Sequence, residues 1–212
     1  MYKANIVALL LILSFTNVVM AEEEKGSKKV FISPGVYSIE VMHKGEKVTI
    51  KRNQDRKNTI SKYYQPTHRG KIQPMRPFSP HAVETIGALE LIDYLQQLEE
   101  KGDSLIIIDS RTKAWVKRGT IPGTVNIPFT EFKEDDRAVE IMEEHFDVLS
   151  TGSALNFSNA KTLVMYCNGI WCGQSPTAIK KLLNYGYPAS KIKYFRGGMQ
   201  NWESLGLTVV DP

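Results

Sequence analysis

The sequence predicts an α/β domain built on a parallel sheet with helices on both faces, behind a basic N-terminal extension. Three observations carry that expectation. From about residue 82 onward, short apolar runs alternate with segments of helical period, the order of a parallel sheet. A run such as Leu105–Ile106–Ile107–Ile108 is apolar throughout, as a strand covered on both faces must be. With 42% hydrophobic and 24% charged residues in 212 positions, the chain has the composition of a globular protein and the length of one domain with additions.

The N-terminus has a different character. Met1–Tyr2–Lys3 gives a basic start, Ile6 to Leu13 is unbroken apolar, and Val19 and Ala21 occupy the −3 and −1 positions before Glu22–Glu23–Glu24. This layout predicts a signal peptide over residues 1–21, cleaved after Ala21, and hence an exported protein, periplasmic or secreted. The apolar core is shorter than the roughly 20 residues a membrane-spanning helix needs.

The extension, residues 22–81, is basic. Residues 25–76 hold 13 Lys/Arg against 3 Asp/Glu, a charge of +10, whereas residues 77–212 hold 13 against 17, a charge of −4. Within it, Tyr37, Ile39 and Val41 alternate with polar residues, as do Val48 and Ile50 beyond the turn-like His43–Lys44–Gly45–Glu46. That period predicts a β-hairpin, which needs a domain to dock on because a lone hairpin is marginal in water. Residues 51–80 show no sustained period and contain Pro66, Pro74, Pro77 and Pro80, so they read as an extended linker or a wrapping arm. The basic arm 25–76 could meet an acidic partner or an anionic surface. The simpler reading is a solvated arm lying on the acidic domain. Nucleic acid is not an expected partner of an exported chain.

The domain, residues 82–212, then unfolds in order. Ala88, Leu91, Ile92 and Leu95 are spaced for one helix face, and Gly102–Asp103 closes that helix. The strand from Leu105 ends at Asp109–Ser110–Arg111. "GTIPGTVNIPF" (119–129) gives a turn and a short strand around Val125–Ile127. A helix is expected over 135–149, with Ile141, Met142, Phe146 and Leu149 inward. Thr162–Tyr166 is a strand ending on Cys167. The helix after Ser175 carries Ile179, Leu182 and Leu183 on one side, with Gly186 beyond its end. Ile192–Phe195 is a last strand, and "RGGMQNW" (196–202) turns into a last helix.

Both cysteines of the chain fall in "VMYCNGIWCGQSP" (164–176). Two cysteines make no disulfide framework, and the four scattered histidines leave no tetrahedral zinc site, so no metal cofactor is expected. Strand tips of this kind carry the sites of α/β folds. Ser175 is expected as the N-cap and Pro176 as the first helical residue, so the loop faces a helix N-terminus. Gly169 and Gly173 would let backbone amides turn inward. A cysteine there is expected to have a lowered pKa and to be nucleophilic. Cys172 is open to three readings: loop packing, a resolving thiol, or a disulfide partner for Cys167.

Four segments, "LIIIDSR" (105–111), "GTIPGTVNIPF" (119–129), "TLVMYC" (162–167) with its loop and helix, and "YFRGGMQNW" (194–202), resemble the rhodanese-like (sulfurtransferase) family in the family's order. The resemblance covers about residues 82–210. It implies a single doubly wound α/β domain in which Cys167 takes sulfane sulfur from a small donor as a persulfide and passes it to a thiol or other nucleophilic acceptor. It implies a substrate-binding loop of Asn168, Gly169, Ile170, Trp171, Cys172, Gly173, Gln174 and Ser175, with Asp109 and Arg111 in support. Three departures stand out. Thr120 replaces the family's frequent His; the loop is about two residues longer; and it holds no Arg or Lys. Without an arginine to clamp phosphate, phosphatase chemistry is not expected. Two other functions compete: a Cys167/Cys172 dithiol–disulfide redox protein, and a non-catalytic binding module on the same fold.

Overall fold

A computed structural model of the chain describes residues 28–152 and 154–212; the signal-peptide reading of residues 1–21 lies outside them. Five strands form one wholly parallel sheet, in the spatial order Glu84–Ile86, Ile192–Phe195, Thr162–Tyr166, Leu105–Asp109, Val125–Asn126. The chain builds it as follows. A hairpin, β1 (Ser38–His43) and β2 (Glu46–Lys51), comes first, then β3 (Glu84–Ile86), α1 (Ala88–Lys101) and β4 (Leu105–Asp109). A short α2 (Lys113–Val116), β5 (Val125–Asn126) and α3 (Asp135–Phe146) follow, then a small hairpin of β6 (Leu149–Thr151) and β7 (Ala154–Asn156). The domain closes with β8 (Thr162–Tyr166), α4 (Gln174–Asn184), β9 (Ile192–Phe195) and α5 (Gly198–Ser204).

Side-chain alternation along the central strands feeds two cores, one on each face. Leu163 and Met165 of β8 point to the face covered by α3 and α4, where Ile141, Met142, Phe146, Ile179 and Leu182 are buried. Val164 and Tyr166 point to the opposite face, with Leu91 and Leu95 of α1 and Met199 and Trp202 of α5. The doubly wound parallel sheet expected from the alternation is therefore the observed fold.

The N-terminal hairpin forms with the expected alternation. Lys44 and Gly45 both have positive φ (52° and 83°), the two-residue turn that matches strand twist. It docks on the domain, as a hairpin marginal on its own must. Ile39, Val41 and Ile50 are buried in the same core as Leu91 and Leu95, and so is Tyr64 from the irregular segment that follows. Burial of these aliphatic side chains, about 1.5–3 kcal/mol each, anchors the hairpin while Lys44, Lys47 and Lys51 stay exposed.

Other expectations shift by a few residues. The helix expected over 135–149 stops at Phe146, because Asp147 turns left-handed (φ 55°). Leu149 then enters a surface hairpin and is exposed rather than inward. Val125 is likewise exposed, on the edge strand β5. The edge strand β3 and the hairpin β6–β7 were not expected, being three-residue strands too short to show a period.

Candidate active site

Cys167 directly follows β8 at the carboxyl edge of the sheet, and Ser110 follows β4 beside it. The loop 167–173 is tied down by α5: the N–H groups of Met199 and Gln200 donate to the carbonyls of Cys167 (3.0 Å) and Asn168 (2.9 Å). Such an approach requires glycine at 198. Its φ is +55°, and a Cβ there would sit 2.3 Å from the Cys167 carbonyl oxygen.

Both cysteines are free thiols and both are buried, Cys167 at 1% exposure and Cys172 at 4%. The start of α4 differs from expectation. Gly173 is the N-cap and Ser175 the second helical residue, its hydroxyl buried without a cap bond. The shift lets the first turn of α4 face the sulfurs. The Ser175 N–H is directed at Cys167 and the Gln174 N–H at Cys172, while the Ser175 hydroxyl has no hydrogen-bond partner. The helix N-terminus therefore meets both thiols with donors. The glycines serve this differently than expected. Gly173 has an ordinary backbone conformation and open space around it. Gly169 is wanted for close packing, because a Cβ there would meet Gln200 and the Trp171 indole nitrogen at 3.1–3.2 Å.

The charge falls on the other sulfur than the one expected. Burial pushes the Cys167 thiol well up, and its hydrogen bond to Cys172 adds to the shift. That same bond, with the Gln174 and Asn168 N–H groups and the Asn168 side chain, pulls Cys172 down to about 6 despite burial. Two adjacent buried thiols cannot both ionise, and Cys172 collects more donors. The surroundings therefore favour the anionic form at Cys172 over Cys167. The Cys167 S–H also lies 3.6 Å from the Cys172 carbonyl oxygen, and Asn168 Nδ2 lies 3.7 Å from Cys172 Sγ.

Asp109 and Arg111 sit behind the loop as a fully buried pair. Arg111 Nη2 and Nε reach Asp109 at 2.6 and 2.9 Å. Thr120, at the position of the family's frequent His, donates to Asp109 Oδ2 (2.8 Å) and contacts the Tyr166 hydroxyl (2.9 Å). Thr120 thus belongs to a buried polar brace around β4 and β8.

Pattern reasoning missed the arm as part of the site. Tyr64 donates through its hydroxyl to Asn168 Oδ1 (2.9 Å). His68 stacks on Trp171, and Gly70 packs against the Trp171 carbonyl. The Gln73 N–H donates to the Ile170 carbonyl (2.8 Å), while Arg196 Nε donates to the Gln73 carbonyl (2.8 Å). Residues 64–73 therefore cover the loop tip. A cleft of about 460 Å³ beside it reaches Ile170, Arg196 and Gln200, but neither sulfur lines it. The one signal available in the sequence was Tyr63–Tyr64, adjacent aromatic residues in an otherwise polar stretch.

Comparison with known proteins agrees with this architecture. The rhodanese-like domain matches residues 91–205. The HTH-type transcriptional regulator Rv0324 of Mycobacterium tuberculosis is 29% identical over 115 residues, which is 54% of this chain and 41% of that protein. The chain thus spans about two fifths of the length of that relative. Among solved structures, the Saccharomyces cerevisiae single-domain sulfurtransferase RDL2 is 19% identical, with 61% of this chain and 95% of that chain covered and a TM-score of 0.41. The human single-domain sulfurtransferase TSTD1 is 20% identical, covering 57% and 96%, with a TM-score of 0.37.

Proposed function

The chain belongs to the rhodanese-like domain family, and on that premise we propose that it moves sulfane sulfur through a Cys167 persulfide. The observation that supports this most is the pair of buried free thiols set between the carboxyl end of β8 and the first turn of α4. As the Cys167 sulfur attacks the outer sulfur of a donor R–S–S⁻, its proton passes to the Cys172 thiolate. The S–S bond of the donor breaks, R–S⁻ leaves, and Cys167–S–S⁻ forms. An acceptor thiolate then attacks that outer sulfur and leaves as the new persulfide. The Cys167 thiolate it releases takes its proton back from Cys172. The Ser175 N–H supplies a fixed donor to the sulfur anion, a preorganised electrostatic contribution. With no Lys or Arg in the loop, a persulfide donor fits better than the dianion thiosulfate.

Incubating reduced protein with a small organic persulfide tests this. Intact mass should rise by one sulfur atom, and Cys167→Ser should stay unchanged. No adduct on the reduced wild-type protein overturns the proposal.

A second reading, a dithiol–disulfide redox protein, draws on the two free thiols buried together in one short loop. A Cys167–Cys172 disulfide that forms and is reduced in cycles, with no sulfur adduct, would favour it.

A further inference from the structure

The covalent chemistry above uses two cysteines, yet the thiol that carries charge is chosen by its surroundings. The strongest donor chain in the site begins far from it. Arg111, held on both carboxylate oxygens of Asp109, directs Nη1 at the Tyr64 hydroxyl oxygen (3.1 Å). A guanidinium can only donate, so the phenol must accept there, and its own hydrogen goes to the next acceptor. That acceptor is Asn168 Oδ1 at 2.9 Å. Fixing the amide oxygen on Tyr64 turns the amide nitrogen the other way, where Nδ2 lies 3.7 Å from Cys172 Sγ. Every link is buried: Arg111 at 0%, Tyr64 at 2%, Asn168 at 1% and Cys172 at 4% exposure. Burial also keeps the Tyr64 phenol protonated, so it remains a donor.

We propose that Tyr64, a residue of the N-terminal arm outside the matched family region, is a positioning residue for Cys172: it orients Asn168 so that the relay from Arg111 ends in an N–H donor to the Cys172 sulfur. The arm then completes the site as well as covering it. Without Tyr64, Asn168 is free to rotate and present its oxygen to the sulfur, which repels a thiolate. Other titratable groups face the same sulfur. Cys167 lies on its own loop, and Tyr194 of β9 interacts electrostatically with both cysteines and with Arg196. From the arm, His68 reaches only the Trp171 ring, and Asp109 is separated from the loop by Arg111. None of these replaces the amide donor. This inference rests on the reading of Cys167 and Cys172 as the working thiols, but its test uses no sulfur donor.

The experiment follows the ultraviolet absorbance of the thiolate against pH in the full chain carrying Cys167→Ser, where Cys172 is the sole cysteine. Adding Tyr64→Phe should move the titration midpoint upward, lowering the thiolate-to-thiol ratio below the midpoint by roughly three- to tenfold, the loss of one oriented donor to a charged sulfur. Asn168→Leu, which keeps the size of the side chain and removes its amide, should shift it the same way. Circular dichroism establishes that each variant is folded. A folded Tyr64→Phe or Asn168→Leu protein with the parental midpoint overturns the proposal. Failure of sulfur loading in the wild type would instead strike the sulfur-transfer reading and leave this titration standing.

Discussion

His68 lies face to face on Trp171, with ring centroids 3.7 Å apart and planes 14° from parallel. The contact fastens an N-terminal segment to the tip of the cysteine loop. Two residues on, Gly70 comes so close that a Cβ would fall 2.3 Å from the Trp171 carbonyl oxygen. A backbone atom cannot yield as a flexible side chain does. Gly70→Ala should therefore lift the arm and speed reaction of the cysteines with an aromatic disulfide reagent several-fold. The global stability cost should stay within about 1–3 kcal/mol. An unchanged rate in the folded variant would show that the arm does not limit access.

Gly198 makes the opposite prediction. Its φ of +55° and its contact with the Cys167 carbonyl are both backbone constraints. Gly198→Ala should cost about 1–3 kcal/mol for the backbone strain alone and should also displace the loop. Sulfur loading on Cys167 should fall more than the fraction of folded protein does, as comparison of adduct mass with urea unfolding will show.

The Asp109–Arg111 pair predicts a large stability effect. Asp109→Ala leaves a guanidinium in the interior without its counter-charge, at 0% exposure. Such a break costs about 3–5 kcal/mol, visible as a lower urea midpoint. Thr120 and Tyr166, which share Asp109 Oδ2, would lose their common acceptor at the same time.

Cys172 predicts a pH dependence whose sign follows from its lowered pKa. The thiol falls from an ordinary value of 9.0 to about 6 in the folded chain. Between those values the unfolded chain binds a proton that the native chain has released, so stability rises with pH across that window. The contribution is complete above about 9 and lost as pH falls through about 6. Because Cys167 is raised instead, its effect is opposite and begins only above the ordinary value. Chemical denaturation of wild type and Cys172→Ser across this range should show the rising slope in the wild type alone. The rate of sulfur loading should share the lower limb, with Cys172→Ser displacing it to higher pH.

Much of this architecture was legible because it is written in local pattern. The strands Leu105–Asp109, Thr162–Tyr166 and Ile192–Phe195 begin and end where their apolar runs do. The hairpin announced itself through Tyr37, Ile39, Val41, Val48 and Ile50. What pattern could not show is tertiary choice. Ser175 has the chemistry of an N-cap, yet Gly173 takes that place and the helix begins at Gln174. Cys167 sits at the strand end as expected, but the balance of donors that favours Cys172 depends on residues brought in from α4 and the loop's own side chains. Tyr64 meets Asn168 across 104 positions, a distance at which periodicity carries no information.

That separation has a consequence for how the molecule is made. Tyr64 leaves the ribosome early, whereas its partners Asn168 and Gln200, 104 and 136 positions later, come near the end. The same holds for Gln73 and Arg196, 123 positions apart. Long closures of this kind form late in folding. The sheet waits on a closure of similar length, Glu84 of β3 pairing with Lys193 of β9, so sheet and cover alike depend on the C-terminal part of the chain. A chain that ends before β9 therefore leaves β3, the Gln73 carbonyl and the Tyr64 carbonyl without their partners at once.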